Sequence, residues 1–354
     1  MFPLVLFHRP PQGILMRRPR FCQGQPTGGL ARVVSGGAPD DNRCFGPWHD
    51  MHPKDPTMTR STRREFLRRS ALLGAAAWAA GPIGQSLAVA GEKAGSAMRF
   101  GLVTYQWGRD WDLRTLLANC ASAKVFGVEL RTTHAHKVEP NLTLAERRAV
   151  KARFADSPVT LVGLGSNECF HHPDPAALAK AIEATKAFLK LSHDVGSSGV
   201  KVKPNDLPKG VSRQKTIEQI GKSLNEVGKF AADYGQQVRL EVHGSCSRLP
   251  IMKEIMDVAD HPSVAVCWNS NATDLEGEGL EYNFNLVKGR FGATAHVRPL
   301  NTPGYPWQEL IGLFVKMDYR GWVLLEAGTD PPDRLKALAE QAEMFHEMVR
   351  RAQG

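Results

Sequence analysis

The chain has 354 residues, of which 42% are hydrophobic and 23% charged, enough for one large core or two smaller ones. No stretch reaches the ~20 apolar residues of a membrane span, which argues against an integral membrane protein. Of the 45 Lys and Arg and the 36 Asp and Glu, residues 1–95 hold 13 and 6, which leaves 32 and 30 for the rest. The body after residue 95 is therefore nearly neutral, and its charge gives no argument for nucleic-acid binding.

The cysteines are scattered and have neither CxxC nor zinc-finger spacing: Cys22, Cys44, Cys120, Cys169, Cys246 and Cys267. Four cysteines spread over the body predict small buried residues and not a disulfide framework.

Residues 58–90 resemble a bacterial twin-arginine (Tat) export signal. The pair Arg63 and Arg64 precedes a weakly apolar run, and Ala88-Val89-Ala90 supplies small residues for a signal peptidase. The pattern predicts export to the periplasm, with the Tat machinery as a partner. The alternative is a basic amphipathic helix on a protein surface.

Residues 1–57 mix Pro, Gly, Arg and isolated aromatic residues without helical or strand periodicity. They predict either disorder or a mis-called upstream segment, with translation starting at Met51 or Met58.

From residue 98 the hydrophobic pattern alternates between strand and helix eight times. The predicted strands are Met98–Tyr105, Phe126–Leu130, Val159–Gly165, Val200–Lys203, Val238–His243, Val264–Trp268, Thr294–Arg298 and Trp322–Glu326. The predicted helices cover 112–123, 143–156, 175–195, a stretch from Ile217 to a cap at Gly235, and then 250–260, 280–289, 307–317 and 333–350.

This alternation calls for parallel strands joined by crossover helices, and eight such units match an α/β fold of the (β/α)₈ TIM barrel type over residues 98–350. A doubly wound open sheet is the alternative. Its usual GxGxxG turn is absent after the first strand, where the sequence is YQWGRDWD. The sequence therefore favours the barrel.

In such a barrel the carboxyl ends of the strands form the active site. The ionisable residues at those ends are Glu129, Lys201, Lys203, Glu241, His243, His296, Arg298 and Glu326. Alternation along a strand places Glu241 and His243 on one side, towards the barrel axis. Carboxylates are costly to bury there unless they are paired or bind a cation, so several of them with a histidine predict a divalent-metal site. The alternative is that each residue is a surface charge that ends a strand.

Short motifs in this order resemble the xylose-isomerase-like TIM barrel family, the superfamily of sugar phosphate isomerases and epimerases. They are GVEL at 127–130, Pro-Asp-Pro at 173–175, LEVHG at 240–244, VCWN at 266–269, AHVR at 295–298 and YRGWVLLE at 319–326. The resemblance covers roughly residues 98–350.

The resemblance implies a metal site and its ligands. Position by position, Glu241, Asn269, His296 and Glu326 would bind Mn²⁺, Mg²⁺ or Co²⁺, with Zn²⁺ as an alternative. Asn269 stands where the family usually has Asp. An amide oxygen can bind a hard cation but brings no charge, so a lower metal affinity is expected.

The resemblance also implies proton transfer beside a sugar carbonyl through an enediolate, with Glu241 and Glu326 as the catalytic groups. The residues expected to hold the substrate are His243, Lys203, Arg298, Trp107, His172, Trp268 and Glu129. For Lys203 a salt bridge to Glu129 or Glu241 is the alternative.

The predicted function is thus a metal-dependent isomerase or epimerase of an unphosphorylated sugar or a related polyol or keto compound. Two alternatives stay open: a lyase or hydrolase acting on keto-sugars or glycosides, and a metal-free sugar-binding barrel. A near-neutral body argues against a nucleic-acid substrate. The oligomeric state is open, with a homo-oligomer among the options.

Overall fold

Eight parallel strands alternate with eight helices in the computed structural model, which describes residues 93–354. The expected export signal at 58–90 and the segment 1–57 lie outside the described residues. The strands are β1 Arg99–Val103, β2 Gly127–Arg131, β3 Thr160–Cys169, β4 Gly199–Lys203, β5 Gln237–Glu241, β6 Val264–Cys267, β7 Thr294–Val297 and β8 Trp322–Leu325. The helices are α1 Leu113–Ser122, α2 Leu144–Ala155, α3 Pro175–Val195, α4 Arg213–Asp233, α5 Leu249–Val258, α6 Leu280–Val287, α7 Trp307–Lys316 and α8 Arg334–Gln353.

The strands form one sheet in the order β6-β5-β4-β3-β2-β1-β8-β7. The seam between β6 and β7 is bridged at Val266–Phe291 and at Asn269–His296, where the His296 amide donates to the Trp268 carbonyl over 2.6 Å. The sheet therefore closes almost completely, and the predicted (β/α)₈ TIM barrel is confirmed.

Local sequence signals explain where the helices begin. Asp112, Thr143 and Ser212 each accept a hydrogen bond from a backbone amide of the first turn, and Thr143 completes a capping box with Glu146. Asp174 caps α3, and Pro175 fits its first turn because that position needs no amide donor. The Pro-Asp-Pro motif is thus a helix start.

The third strand is longer than the sequence predicts. It continues past Gly165 to Cys169, because Ser166 donates to the Lys201 carbonyl and Cys169 pairs with Lys203 after a shift in register. The extension carries Asn167 above the barrel end.

The barrel interior has an apolar layer at the amino-terminal end. Val162, Trp322 and Leu324 form, with Val103 further along β1, a cluster of their own that is separate from the main core under the helices. Trp322 fits because β2 has Gly127 opposite it: a Cβ on Gly127 would lie 2.2 Å from the indole ring. The ionisable residues follow further along the same strands, towards their carboxyl ends.

The four cysteines of the described region, Cys120, Cys169, Cys246 and Cys267, are free and buried, as predicted. Within residues 93–354 no helix combines the length and hydrophobicity needed to cross a membrane.

Candidate active site

Three side chains from different strands meet at the carboxyl end of the barrel. Glu241 ends β5, His296 lies on β7, and Glu326 follows β8. One ligand atom from each lies within 4.8 Å of the other two. His296 Nδ1 is 3.3 Å from Glu241 Oε1 and 3.7 Å from Glu326 Oε2. The structure thus brings together three of the four residues expected to bind metal.

Asn269, the fourth, lies between the two carboxylates. Its Nδ2 donates to Glu241 Oε1 over 2.9 Å and to Glu326 Oε2 over 3.3 Å. These are the same two oxygens that face His296 Nδ1. The four side chains therefore surround one point, with the amide nitrogen of Asn269 turned towards the carboxylates.

Glu129 lies behind His296, away from this point. The side chain of Glu129 is fully buried, and its Oε1 lies 3.3 Å from His296 Nε2 without the alignment of a hydrogen bond. Burial would raise the pKa of Glu129, but His296, Lys201 and Arg239 together lower it. Glu129 has no accessible surface. Its placement therefore favours a role in positioning His296 and does not support the substrate contact expected from the sequence.

Lys201 forms an ion pair with Glu241 inside the barrel: Nζ lies 2.9 Å from Oε2, and both side chains are 1% exposed. Burial favours a neutral Lys201, but Glu241, Glu326 and Glu129 raise its pKa. In Glu241, burial is likewise outweighed by Lys201 and His296, and the carboxyl pKa falls well below its usual range.

Glu326 differs from Glu241 in its surroundings. Burial and the charge of Glu241 raise the pKa of Glu326, against the opposing effect of His296, Lys201 and Arg131, whose NH1 lies 3.9 Å from Oε1. The two carboxyls therefore differ in acidity, the condition for one acid and one base in a shared site.

Lys203, expected to contact substrate, pairs with neither Glu129 nor Glu241. Its Nζ donates to Asn167 Oδ1 over 3.3 Å, and the same oxygen accepts from Arg131 NH2 over 3.1 Å. Sequence reasoning did not single out Arg131 or Asn167. Arg131 follows Glu129 by two residues and so shares its face, a signal that was available.

His243 and Arg298 lie at the same end of the barrel, both half-buried. His243 Nδ1 is 3.0 Å from Asn205 Oδ1, and burial lowers the pKa of the ring. The Arg298 guanidinium lies over the Tyr305 and Trp307 rings, 5.6 and 5.9 Å from their centroids. Both stay candidates for substrate contact.

Two of the three side chains expected to pack against a sugar ring are buried in other contacts. Trp268 is fully buried against Phe284 and Phe291, on the helix side of β6, so it offers no surface to a sugar. Trp107 is 3% exposed and donates to the Thr329 carbonyl. His172 is half-buried beside His171, with ring centroids 4.7 Å apart, and alone keeps substantial exposed surface.

Asp274, which the sequence offered as a residue that could compensate for Asn269 in metal binding, is fully buried beyond β6. Its Oδ2 accepts from Tyr305 and from the Asn271 amide, while Oδ1 has no hydrogen-bond partner within residues 93–354. Burial raises the pKa of Asp274 to about 7.

The donor set fits a divalent cation. Ligands about 2.0–2.2 Å from one ion lie roughly 3–4.4 Å apart, and the separations of 3.3 and 3.7 Å between His296 Nδ1 and the two carboxylates fall in that range. Two carboxylates, one imidazole and one amide suit Mn²⁺, Co²⁺, Zn²⁺ or Mg²⁺.

A family model described as a xylose isomerase-like TIM barrel matches residues 117–348. A comparison with curated protein sequences finds no match.

Solved structures of similar fold include 3-keto-D-glucoside 4-epimerase from E. coli, with a TM-score of 0.61 and 14% identity over 71% of this chain and 99% of the other. D-psicose 3-epimerase from Clostridium cellulolyticum H10 has a TM-score of 0.59 and 18% identity over 72% and 99% of the two chains. The IOLI protein, solved with a zinc atom, has a TM-score of 0.60 and 15% identity over 72% and 99%. At these identities the likeness establishes the fold alone.

Proposed function

The chain belongs to the xylose isomerase-like TIM barrel family, and we propose that it is an isomerase or epimerase of an unphosphorylated sugar or a related keto compound. The observation that supports this most directly is the convergence of Glu241, His296 and Glu326 at the end of the barrel where such folds place their chemistry. Two of the solved structures of similar fold are named as sugar epimerases.

We further propose that Glu241, Asn269, His296 and Glu326 bind a divalent metal. When bound, the metal would polarise a carbonyl oxygen and the neighbouring hydroxyl oxygen of the substrate. Glu129 would hold His296 with Nδ1 turned towards the ion, as partners of ligand histidines do.

The proton transfer itself falls to Glu241 and Glu326. Their side chains approach His296 Nδ1 from β5 and from the end of β8, so one carboxylate can remove a proton from carbon while the other returns one. Lys201 keeps Glu241 ionised and fixes its Oε2. Arg131, Lys203, His243 and Arg298 would orient the substrate's hydroxyl or acidic groups.

Exchange of a carbon-bound proton with solvent tests this function. The protein is incubated in D₂O with D-psicose, D-fructose or D-tagatose, with Mn²⁺ or with EDTA, and deuterium uptake is followed by NMR. We expect uptake that needs the metal and that falls at least about a hundredfold in Glu241→Gln and in Glu326→Gln. Glu309→Gln, on the exposed first turn of α7, is the matched control and should exchange like the wild type.

A second candidate, a sugar-binding barrel that uses no metal, is favoured by one observation: Lys201 and Asn269 already neutralise or hydrogen-bond the carboxylates. Sugar binding that is equal with Mn²⁺ and with EDTA, without proton exchange, would support that candidate. A lyase or hydrolase acting on a keto-sugar would instead release a new product in the same NMR experiment.

The export signal is predicted from the sequence alone. We propose that residues 58–90 direct Tat export and that 98–350 is the folded domain. Arg63→Lys with Arg64→Lys should hold the precursor in the cytoplasm, and a chain of residues 91–354 should fold. Unchanged export, or an insoluble 91–354 chain beside a soluble full-length one, would count against these two boundaries.

A further inference from the structure

Two cationic side chains lie at the carboxyl ends of β2 and β4 and donate to the same uncharged acceptor. Arg131 is the last residue of β2 and Lys203 the last residue of β4. Both donate to Asn167 Oδ1, over 3.1 and 3.3 Å. Within residues 93–354 Lys203 has no carboxylate within ion-pair distance, and the buried Nε of Arg131 has no acceptor.

The charges around the site leave these cations only partly compensated. The barrel interior holds three carboxylates, Glu129, Glu241 and Glu326, together with the buried cations Lys201 and Arg239 and the partly exposed Arg131. Lys203 adds a further positive charge, which the half-buried carboxylate of Glu168 offsets in part, and a divalent metal would add two more. Positive charge in such a site, where low dielectric strengthens electrostatic interactions, favours a ligand that brings negative charge.

The geometry of Arg131 suits an oxyanion. Its guanidinium lies over the Tyr105 ring, 4.7 Å from the centroid, which holds the plane of the donors in one orientation. A fixed planar set of N–H donors is well matched to the two oxygens of a carboxylate, and Lys203 can add a third donor.

The position of the pair places such a group near the two carboxylates proposed to transfer the proton. Arg131 NH1 lies 3.9 Å from Glu326 Oε1. Lys203 lies two residues after Lys201 on β4, and Lys201 forms the ion pair with Glu241. Both proton-transfer carboxylates are therefore neighbours of the cation pair.

We propose that Arg131 and Lys203 bind a carboxylate of the substrate, so that the substrate is a sugar acid and not a neutral sugar. The inference rests on the proposed function for the location of the substrate, and it narrows the substrate class. Arg131 and Lys203 are then residues that determine specificity, while Glu241 and Glu326 transfer the proton.

Calorimetric binding in saturating Mn²⁺ tests this with three ligands that share one carbon skeleton: D-fructuronate, D-fructose and D-fructose 6-phosphate. We expect D-fructuronate to bind at least about tenfold more tightly than D-fructose. In Arg131→Gln with Lys203→Gln the two should bind within about twofold of each other. Lys209→Gln, which removes an exposed cation from the following loop, is the matched control and should keep the preference.

Equal binding of the two sugars by the wild type, or no binding of D-fructuronate, would overturn the proposal. Tighter binding of the phosphate than of D-fructuronate, dependent on the same two cations, would overturn the assignment to a carboxylate. If the double variant still binds D-fructuronate more tightly than D-fructose, the preference comes from other residues and the proposal fails. Thermal melts and Mn²⁺ titrations of each variant show whether the fold and the metal site are intact.

Failure of this inference is separable from failure of the proposed function because the readout is binding and not turnover. A preference for D-fructuronate that needs both cations, without deuterium exchange on D-fructuronate itself or on the neutral sugars, contradicts the isomerase and supports the inference. Deuterium exchange on D-fructose, without tighter binding of D-fructuronate, supports the isomerase and contradicts the inference.

Discussion

The ammonium of Lys201 and the carboxylate of Glu241 form an ion pair of 2.9 Å in which each side chain is 1% exposed. A buried pair of this kind is costly to break from one side, because the remaining charge is left without a partner. It also means that one oxygen of Glu241 is committed to a protein cation while the other faces His296 and Asn269.

Lys201→Met should therefore have two opposite effects. The metal-free protein should lose about 3–5 kcal/mol of unfolding free energy, since Glu241 becomes an unpaired buried charge. Mn²⁺ should then stabilise the variant more than the wild type, because the ion no longer shares Glu241 with an ammonium. Urea unfolding with EDTA and with Mn²⁺ measures both, with Lys209→Met as control. Equal unfolding curves for Lys201→Met and wild type would contradict this account.

Asn269→Asp introduces the carboxylate that the sequence resemblance led us to expect at this position. Without metal it would place a third negative charge beside Glu241 and Glu326 and remove the two hydrogen bonds that Nδ2 donates, so we expect a lower melting temperature in EDTA. With metal the added charge should tighten binding by about tenfold or more. Asn285→Asp, on the exposed face of α6, controls for the change in net charge. A metal affinity unchanged from wild type would exclude Asn269 as a ligand.

Gly127→Ala should destabilise the barrel at its amino-terminal end. The new Cβ would lie 2.2–2.3 Å from atoms of the Trp322 ring, so the indole or the strand must move, at about 1–3 kcal/mol or more. Gly312→Ala, in α7 with nothing within 4 Å of its Cβ, should instead stabilise slightly through helix propensity. Unfolding free energies of the two variants make the comparison, and a neutral Gly127→Ala would show that Trp322 has room to shift.

Asp274 should make the stability depend on pH. Its folded-state pKa of about 7 lies above the ordinary 3.8, so between those values the unfolded chain loses its proton first and the fold weakens as pH rises. The loss, about 4 kcal/mol, should be complete slightly above pH 7. Asp274→Asn should remove this contribution to the pH dependence of the unfolding free energy. Relative to the wild type, the variant should therefore be more stable at pH 8 than at pH 5. Parallel stability curves for variant and wild type between pH 4 and pH 8 would rule out this role.

The sequence predicted the fold because each strand and helix has its own periodicity, and eight alternations leave few topologies. It also predicted the meeting of Glu241, His296 and Glu326, because parallel strands of a barrel end on one rim.

Pair contacts could not be predicted in the same way. Alternation places Lys201 and Lys203 on one face, but the pairing of Lys201 with Glu241 depends on the depth of each strand in the barrel. Asn167 reaches Arg131 and Lys203 through a register shift in β3, which has no sequence signal of its own. Trp268 could have been placed correctly, because it directly precedes Asn269 and must face the other way.

The amide of Asn269 has a donor end and an acceptor end, and a half-turn about its last side-chain bond exchanges them. With the nitrogen inward it bonds both glutamates, as it does here; with the oxygen inward it would face a cation at the same point. A carboxylate at this position could serve only the second of these two states. One side chain can therefore hold the apo and the loaded protein in the same backbone arrangement, so that uptake and release of an ion need a rotamer flip and no refolding.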